Sequence, residues 1–193
     1  GRHTRNFKNF KSLIYEDPDF VHKLLKKLTN ALTTFAEMQI EEGADSVQIF
    51  DTSGGILPPH LYKNFSLDYI NKILVNLENY DVPKTVFLKG GIGYFKQLVN
   101  CNADVLSVDW MTDMAEAKHL VNGKTALQGN LDPTALYGNK DQIRNEVRKI
   151  LETFGNESGH IFNLGHGILP DTPLENVYYL VEQVREISTS LRS

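Results

Sequence analysis

At 193 residues, with 41% hydrophobic and 23% charged side chains, the chain can bury one sizeable core and lacks the composition of a disordered or fibrous protein. A net charge of -4 with scattered basic residues disfavours general nucleic-acid binding, and no apolar run approaches the roughly 20 residues of a membrane span. The single cysteine, Cys101, rules out an internal disulfide or a thiolate zinc cluster and reads as a buried small hydrophobe at a helix end. The N-terminal run GRHTRNFKNFK has no apolar signal-peptide core, so a cytoplasmic setting is expected, with no membrane and no nucleic-acid partner.

The first predicted element is a helix. Asp17-Pro18 supplies an N-cap and a first-turn proline, and Phe20, Val21, Leu24, Leu25, Leu28, Leu32, Phe35 and Ala36 follow at helical spacing until Glu42-Gly43. A short strand over 46–50 closes on the polar, glycine-rich turn Asp51-Thr52-Ser53-Gly54-Gly55. Ser66 is positioned to cap the next helix, whose inner face carries Tyr69, Ile70, Ile73, Leu74 and Leu77. The alternation then repeats: strand 85–88, helix 94–99, strand 105–108, helix 114–120, strand 125–128, helix 141–154, strand 160–163. A final amphipathic helix begins near Pro173 and carries Val177, Leu180, Val181, Val184 and Ile187.

No repeat, low-complexity stretch or linker divides this series, so residues 1–193 read as a single domain of roughly five βα units. Such units build a parallel sheet with helices outside. Two α/β architectures fit: a doubly wound open sheet, or the last five units of a (β/α)₈ TIM barrel. The first normally carries a glycine-rich phosphate fingerprint after its first strand, and none stands in that context here.

In a barrel the chemistry sits where the strands end. The residues there are Asp51 and Thr52, Lys89, Asp109, Gln128 and Asn130, Asn163 and His166. Asp51, Asp109 and Asp132 are each expected to cap the helix that follows. Thr52 reads equally as a ligand contact or as a strand-end residue bonded to a carbonyl. For Lys89, an internal salt bridge with Asp51 or Asp109 is favoured over a substrate carboxylate. His166 is the strongest single signal: two flanking glycines let the backbone turn sharply to present the imidazole, which can donate to a carboxylate near neutral pH. His160 and His166 fall at opposite ends of one strand, and no His-x-x-x-His or His-x-Cys pair exists, so a metal site is not expected.

Four segments carry a family resemblance: Phe50-Asp51-Thr52-Ser53-Gly54-Gly55, Val108-Asp109-Trp110, Leu127-Gln128-Gly129-Asn130-Leu131-Asp132-Pro133 and Asn163-Leu164-Gly165-His166-Gly167-Ile168-Leu169-Pro170-Asp171. In this order they resemble the uroporphyrinogen decarboxylases. The resemblance decides for the TIM barrel. It also implies a homodimer, the absence of any metal or organic cofactor, and conversion of uroporphyrinogen III to coproporphyrinogen III by loss of four acetate carboxyls, a step of haem and porphyrin biosynthesis. By position, Thr52 matches a hydroxyl residue that contacts substrate, His166 a histidine that bonds a substrate carboxylate, and Phe50 an aromatic lining the macrocycle pocket. The family's arginine-rich motif, its pyrrole-binding aspartate and its tyrosine near the reacting acetate match positions before Gly1. The catalytic group is therefore expected outside these residues, and the chain alone is expected to be inactive. Two other readings are a truncated paralogue that binds porphyrinogens or docks on a complete enzyme, and a methyltransferase of the same barrel superfamily. The latter would need zinc ligands that Cys101 alone does not provide.

Overall fold

The computed structural model describes residues 7–192. Five parallel strands, β1 (Val47–Asp51), β2 (Lys84–Leu88), β3 (Val105–Ser107), β4 (Ala126–Leu131) and β5 (His160–Leu164), pair side by side in chain order. A doubly wound sheet reverses its strand order at a switch point; this one never does, so successive units wind in one direction, as the staves of a barrel do. Two helices, α1 (Lys8–Glu16) and α2 (Pro18–Glu41), precede β1. The crossovers hold α3 (Pro59–Tyr62) and α4 (Asp68–Asn76), then α5 (Phe95–Leu98), α6 (Met114–Val121) and α7 (Lys140–Phe154), and α8 (Leu174–Arg192) follows β5.

Local chemistry fixes the helix starts. Asp17 accepts from the Phe20 amide at 3.0 Å with Pro18 at the first helical position, as the sequence predicts. Asp113 caps α6 through Ala115 and Glu116, and Asn139 and Gln142 form a reciprocal capping box on α7. Ser66 departs from expectation. It lies in a wide π-type turn over Lys63–Leu67, and its hydroxyl turns back to Asp51 instead of capping α4.

Strand alternation sorts the sheet into two faces. Val86, Leu88, Leu106, Val108, Leu127 and Leu131 point outward and are buried beneath the helices, while Phe50, Phe87, Ser107, Gln128 and Ile161 share one register across the inner face. The inner face is concave. Gln128 Nε2 on β4 donates to Gln48 Oε1 on β1 at 3.3 Å and to Ser107 Oγ at 3.0 Å. In a flat sheet β1 and β4 would stand about 14 Å apart, with side chains roughly parallel; the contact requires an arc. Phe50 is 67% exposed and Ile161 45%, because they stand on the two edge strands.

Half of the predicted apolar stripe of α2 is uncovered. Val21, Thr29 and Thr33 form the buried seam, whereas Phe20, Leu28, Leu32 and Phe35 remain exposed. The physical reason is that α4 and β1 supply a narrower partner surface than the stripe presents. On α8, Leu180 and Ile187 are buried against α7, but Val181 is exposed along with Leu174 and Tyr178.

Candidate functional site at the C-terminal rim

Inner face and rim together enclose a cleft of about 510 Å³. Gln48, Phe50, Phe87 and Ser107 form its floor, and Thr52, Asn163, His166 and Ile168 stand above them at the carboxyl ends of β1 and β5. Thus the two edge strands of the arc face each other across one cavity, and Thr52, Phe50 and His166 are brought together there. Gln48, Phe87, Ser107 and Ile168 escaped the sequence reading. Counting back by two from Thr52 finds Phe50 and Gln48, since residues two apart on a strand share a face.

Thr52 is exposed, and its hydroxyl makes no hydrogen bond to the described residues, which removes the strand-end carbonyl reading. The turn carrying it is held from beneath. Asp51 Oδ2 accepts from Ser66 Oγ at 2.5 Å, and the Gly54 amide lies close to the same carboxyl. The Tyr94 hydroxyl donates to the Leu57 and Gly55 carbonyls. Asp51 therefore neither caps a helix nor faces the cleft. Burial raises its carboxyl above the ordinary range, against the lowering effect of the Ser66 and Gly54 donors. The nearby Tyr62 hydroxyl is buried without a partner at hydrogen-bond geometry, and burial followed by the Asp51 charge pushes that phenol upward.

The His166 ring lies T-shaped to two aromatics, Phe87 at 6.0 Å and Trp110 at 6.1 Å between centroids. Its flanking glycines act differently from the sequence expectation. Neither has a positive φ, so the turn needs no left-handed conformation. Gly165 is required for space: a Cβ there would stand 2.9 Å from the Asp109 carbonyl carbon and closer still to the Trp110 nitrogen. At Gly167 an added Cβ would meet nothing within 4 Å.

Of the remaining strand-end polar groups, Asp109, Asn130 and Asp132 are structural. Asp109 is fully buried and accepts from the Gly90 amide at 2.5 Å, the Met111 amide at 3.1 Å and the Thr112 hydroxyl at 3.2 Å, tying the β2 and β3 turns together rather than capping α6. Asn130 is buried and donates to the Asp109 and Thr112 carbonyls. Asp132 does cap, accepting from Thr134 at the start of a 3₁₀ turn over Pro133–Tyr137. Asn163 reaches the cleft, although its Oδ1 accepts from the Leu164 amide. Lys89 forms neither expected salt bridge; its ammonium lies over the Trp110 ring, 5.5 Å from the centroid.

At the opposite end of the sheet, His160 stacks on Phe154 at 4.5 Å and bonds the Gly129 carbonyl at 2.9 Å, while burial holds its pKa below the usual value. A cleft of about 540 Å³ opens there too, but its lysine, Lys118, is engaged by the Phe154 carbonyl and Glu157. Function in this architecture gathers at the carboxyl ends of strands, so the rim cleft is the stronger candidate. Burial raises the Cys101 thiol, as suits a packed side chain. Among the described residues, no group of three or more His, Cys, Asp or Glu side chains is placed to hold a metal ion, and no helix is long and apolar enough to cross a membrane.

A family model described as Uroporphyrinogen decarboxylase (URO-D) matches residues 1–187. Among curated proteins, the uroporphyrinogen decarboxylase of Actinobacillus succinogenes is 45% identical over 192 residues, covering 97% of this chain and 54% of that protein. The corresponding protein of Legionella pneumophila is 46% identical over 190 residues, with the same coverage. The chain thus spans about half the length of the curated relatives it matches. Among solved structures, a methyltransferase from Methanosarcina mazei superposes with a TM-score of 0.83 at 25% identity over 93% of this chain and 53% of that one. A B12-independent methionine synthase from a Shewanella species reaches 0.64 at 14% identity over 86% of this chain and 53% of its own, a likeness of fold alone.

Proposed function

Because the chain belongs to the uroporphyrinogen decarboxylase family, we propose that residues 1–193 are one partial (β/α)₈ barrel domain of an enzyme that converts uroporphyrinogen III to coproporphyrinogen III. The observation that carries this reading is the convergence of Phe50, Thr52 and His166 on one cleft from the two edge strands. Each suits a polycarboxylate macrocycle. Phe50 offers an apolar wall, and the Thr52 hydroxyl and His166 imidazole, neither hydrogen-bonded among the described residues, can donate to carboxylates. In the reaction, protonation of a pyrrole carbon makes an electron-deficient ring that accepts the electron pair released as carbon dioxide leaves. The resulting exocyclic methylene is then protonated to a methyl group while the ring carbon gives up the proton it first received, so that one proton in all replaces each carbon dioxide. Binding at the rim orients the acetate for that step. No metal or organic cofactor enters this scheme. The same reading gives a cytoplasmic homodimer with a small tetrapyrrole as its substrate.

The proton donor belongs to no residue of this cleft in the proposal, and the isolated 193-residue chain is inactive. Support for this comes from β1 and β5, each unpaired along one edge among the described residues, and from the half-exposed apolar stripe of α2. The test uses a polypeptide of the relatives' full length that contains this chain. His166→Asn and Thr52→Ala are each expected to lower kcat/KM about 10-fold or more, roughly 1.4 kcal/mol of lost substrate stabilisation. Unchanged kinetics in both variants, or turnover by the isolated chain, would overturn the proposal. Tetrapyrrole binding without turnover by the longer polypeptide would favour a binding module instead.

A further inference from the structure

The geometry points to Lys89 as a cationic subsite for a substrate carboxylate beside His166, an assignment that rests on the polycarboxylate reading of the cleft. Four observations lead there.

Lys89 is the only lysine or arginine in the turns that directly follow the five strands, residues 52–58, 89–93, 108–113, 132–139 and 165–173. Among the described residues, Lys11 of α1 also reaches the β1 turn, but its ammonium donates to the Ile56 carbonyl at 3.0 Å. Lys89 also lies two residues beyond Phe87, which lines the cleft and meets the His166 ring. The first turn residue after β2, Lys89 borders the cleft from above Phe87 without lining its floor. Next, its ammonium lies over Trp110, and that ring also packs T-shaped against His166. Trp110 thereby holds the ammonium and the imidazole against a single aromatic support.

Finally, Lys89 is half-buried yet has no carboxylate within ion-pair distance among the described residues. Asp109, the natural counter-ion on the neighbouring turn, is committed: one oxygen accepts from Gly90 and the other from Met111 and Thr112. A partly desolvated ammonium held only by an aromatic face favours an incoming anion, and cation–π contact weakly orients it without neutralising it. A carboxylate bridging Lys89 and His166 satisfies both. Thr52, across the cleft, is free for a second carboxylate, which matches a ligand bearing anionic groups around a ring.

Two measurements on the full-length polypeptide test this. In the first, decarboxylation by Lys89→Met is expected to show KM raised roughly 10-fold at low salt with kcat within about twofold. Lys89→Arg should restore most of the loss, and the deficit should shrink as ionic strength rises. In the second, equilibrium binding of coproporphyrin, a non-reacting tetracarboxylate followed by its absorbance, should weaken in Lys89→Met with the same salt dependence. The second measurement separates the two ideas: a parent protein that never decarboxylates defeats the enzyme reading, while the binding assay still decides on Lys89. Parental KM and parental binding in Lys89→Met at every salt concentration would overturn the subsite. So would a loss that is independent of salt and not rescued by arginine, since that pattern belongs to a lysine that only supports the Trp110 ring.

Discussion

Gly165→Ala adds a single methyl group at the point where the β5 turn passes over the β3 turn. The new carbon would lie 2.9 Å from the Asp109 carbonyl carbon and nearer still to the Trp110 nitrogen, distances that real Cβ atoms do not tolerate. Both obstacles are backbone, and Asp109 is anchored by three donors, so neither can swing aside as a side-chain tip would. The β5 turn must yield instead, and His166 moves with it. Overpacking against fixed atoms costs about 1–3 kcal/mol. For a chain of 150–250 residues that lowers Tm by about 2–4 °C per kcal/mol, and by less in a longer polypeptide. A displacement of the imidazole on the order of 1 Å costs up to about 100-fold in kcat/KM. Gly167→Ala is the matched control, with open space and no positive φ, so its stability should stay within about 0.5 kcal/mol of the parent. The assay pairs thermal unfolding with steady-state kinetics on the full-length polypeptide. Equal behaviour of the two variants, in melting and in kinetics, would refute the close-approach argument and return both glycines to a common role in bending the chain.

Two further perturbations probe the groups that burial shifts. Ser66→Ala deprives the buried Asp51 carboxylate of a donor and should destabilise by about 1–3 kcal/mol at neutral pH. Asp51 has a raised folded pKa, so any stability it contributes is present below its unfolded value of 3.8 and is lost as pH rises through the folded value. The Ser66→Ala penalty should therefore shrink as pH falls toward 4, and a penalty constant with pH in unfolding titrations would contradict it. His160 has the opposite sign. Its folded pKa is depressed from 6.5, so its contribution is full above that value and is lost as pH falls through the folded value. Melting temperatures at pH 7.5 and 5.5 should differ less for His160→Gln than for the parent, and equal pH slopes would exclude His160 as the source.

What the sequence reveals of this fold follows from how much physics is local. Strands β1, β2, β3 and β5 show as runs rich in β-branched or aromatic residues before a glycine or aspartate, and the α2 start shows in Asp17-Pro18, whereas the Asn139 cap that starts α7 at Lys140 escaped a reading that began the helix at Asp141. Helix α1 does not show, because its apolar Phe10, Leu13 and Ile14 span one turn and its N-cap, Phe7, has a left-handed backbone and no capping side chain. Strand β4 runs past the predicted stop at Gln128 because Gly129 serves the close approach to the Val108 carbonyl instead of ending the ladder. At the rim, polarity alone proved a poor guide. Asp51, Asp109 and Asn130 are as polar as Thr52, yet their side chains turn beneath the turns and are consumed by backbone and hydroxyl partners. Which strand-end residue faces the cleft depends on strand parity and on neighbours distant in sequence, as with Ser66 for Asp51. The missing Lys89 salt bridge has the same origin, since Asp109 was already claimed by the β2 and β3 turns.

The Gln48–Gln128 hydrogen bond works as a chord drawn across the arc of the sheet. It joins residues 80 positions apart, both in the same chain, so the bend is a property of this polypeptide and does not wait for a ligand. A ligand entering the cleft meets a floor already curved, and the entropy of shaping that floor is lost during folding instead of being subtracted from affinity. The chord is also made of neutral amides. Beneath a polyanion, an uncharged floor adds neither repulsion nor a competing attraction, which leaves the placing of each carboxylate to the groups along the rim.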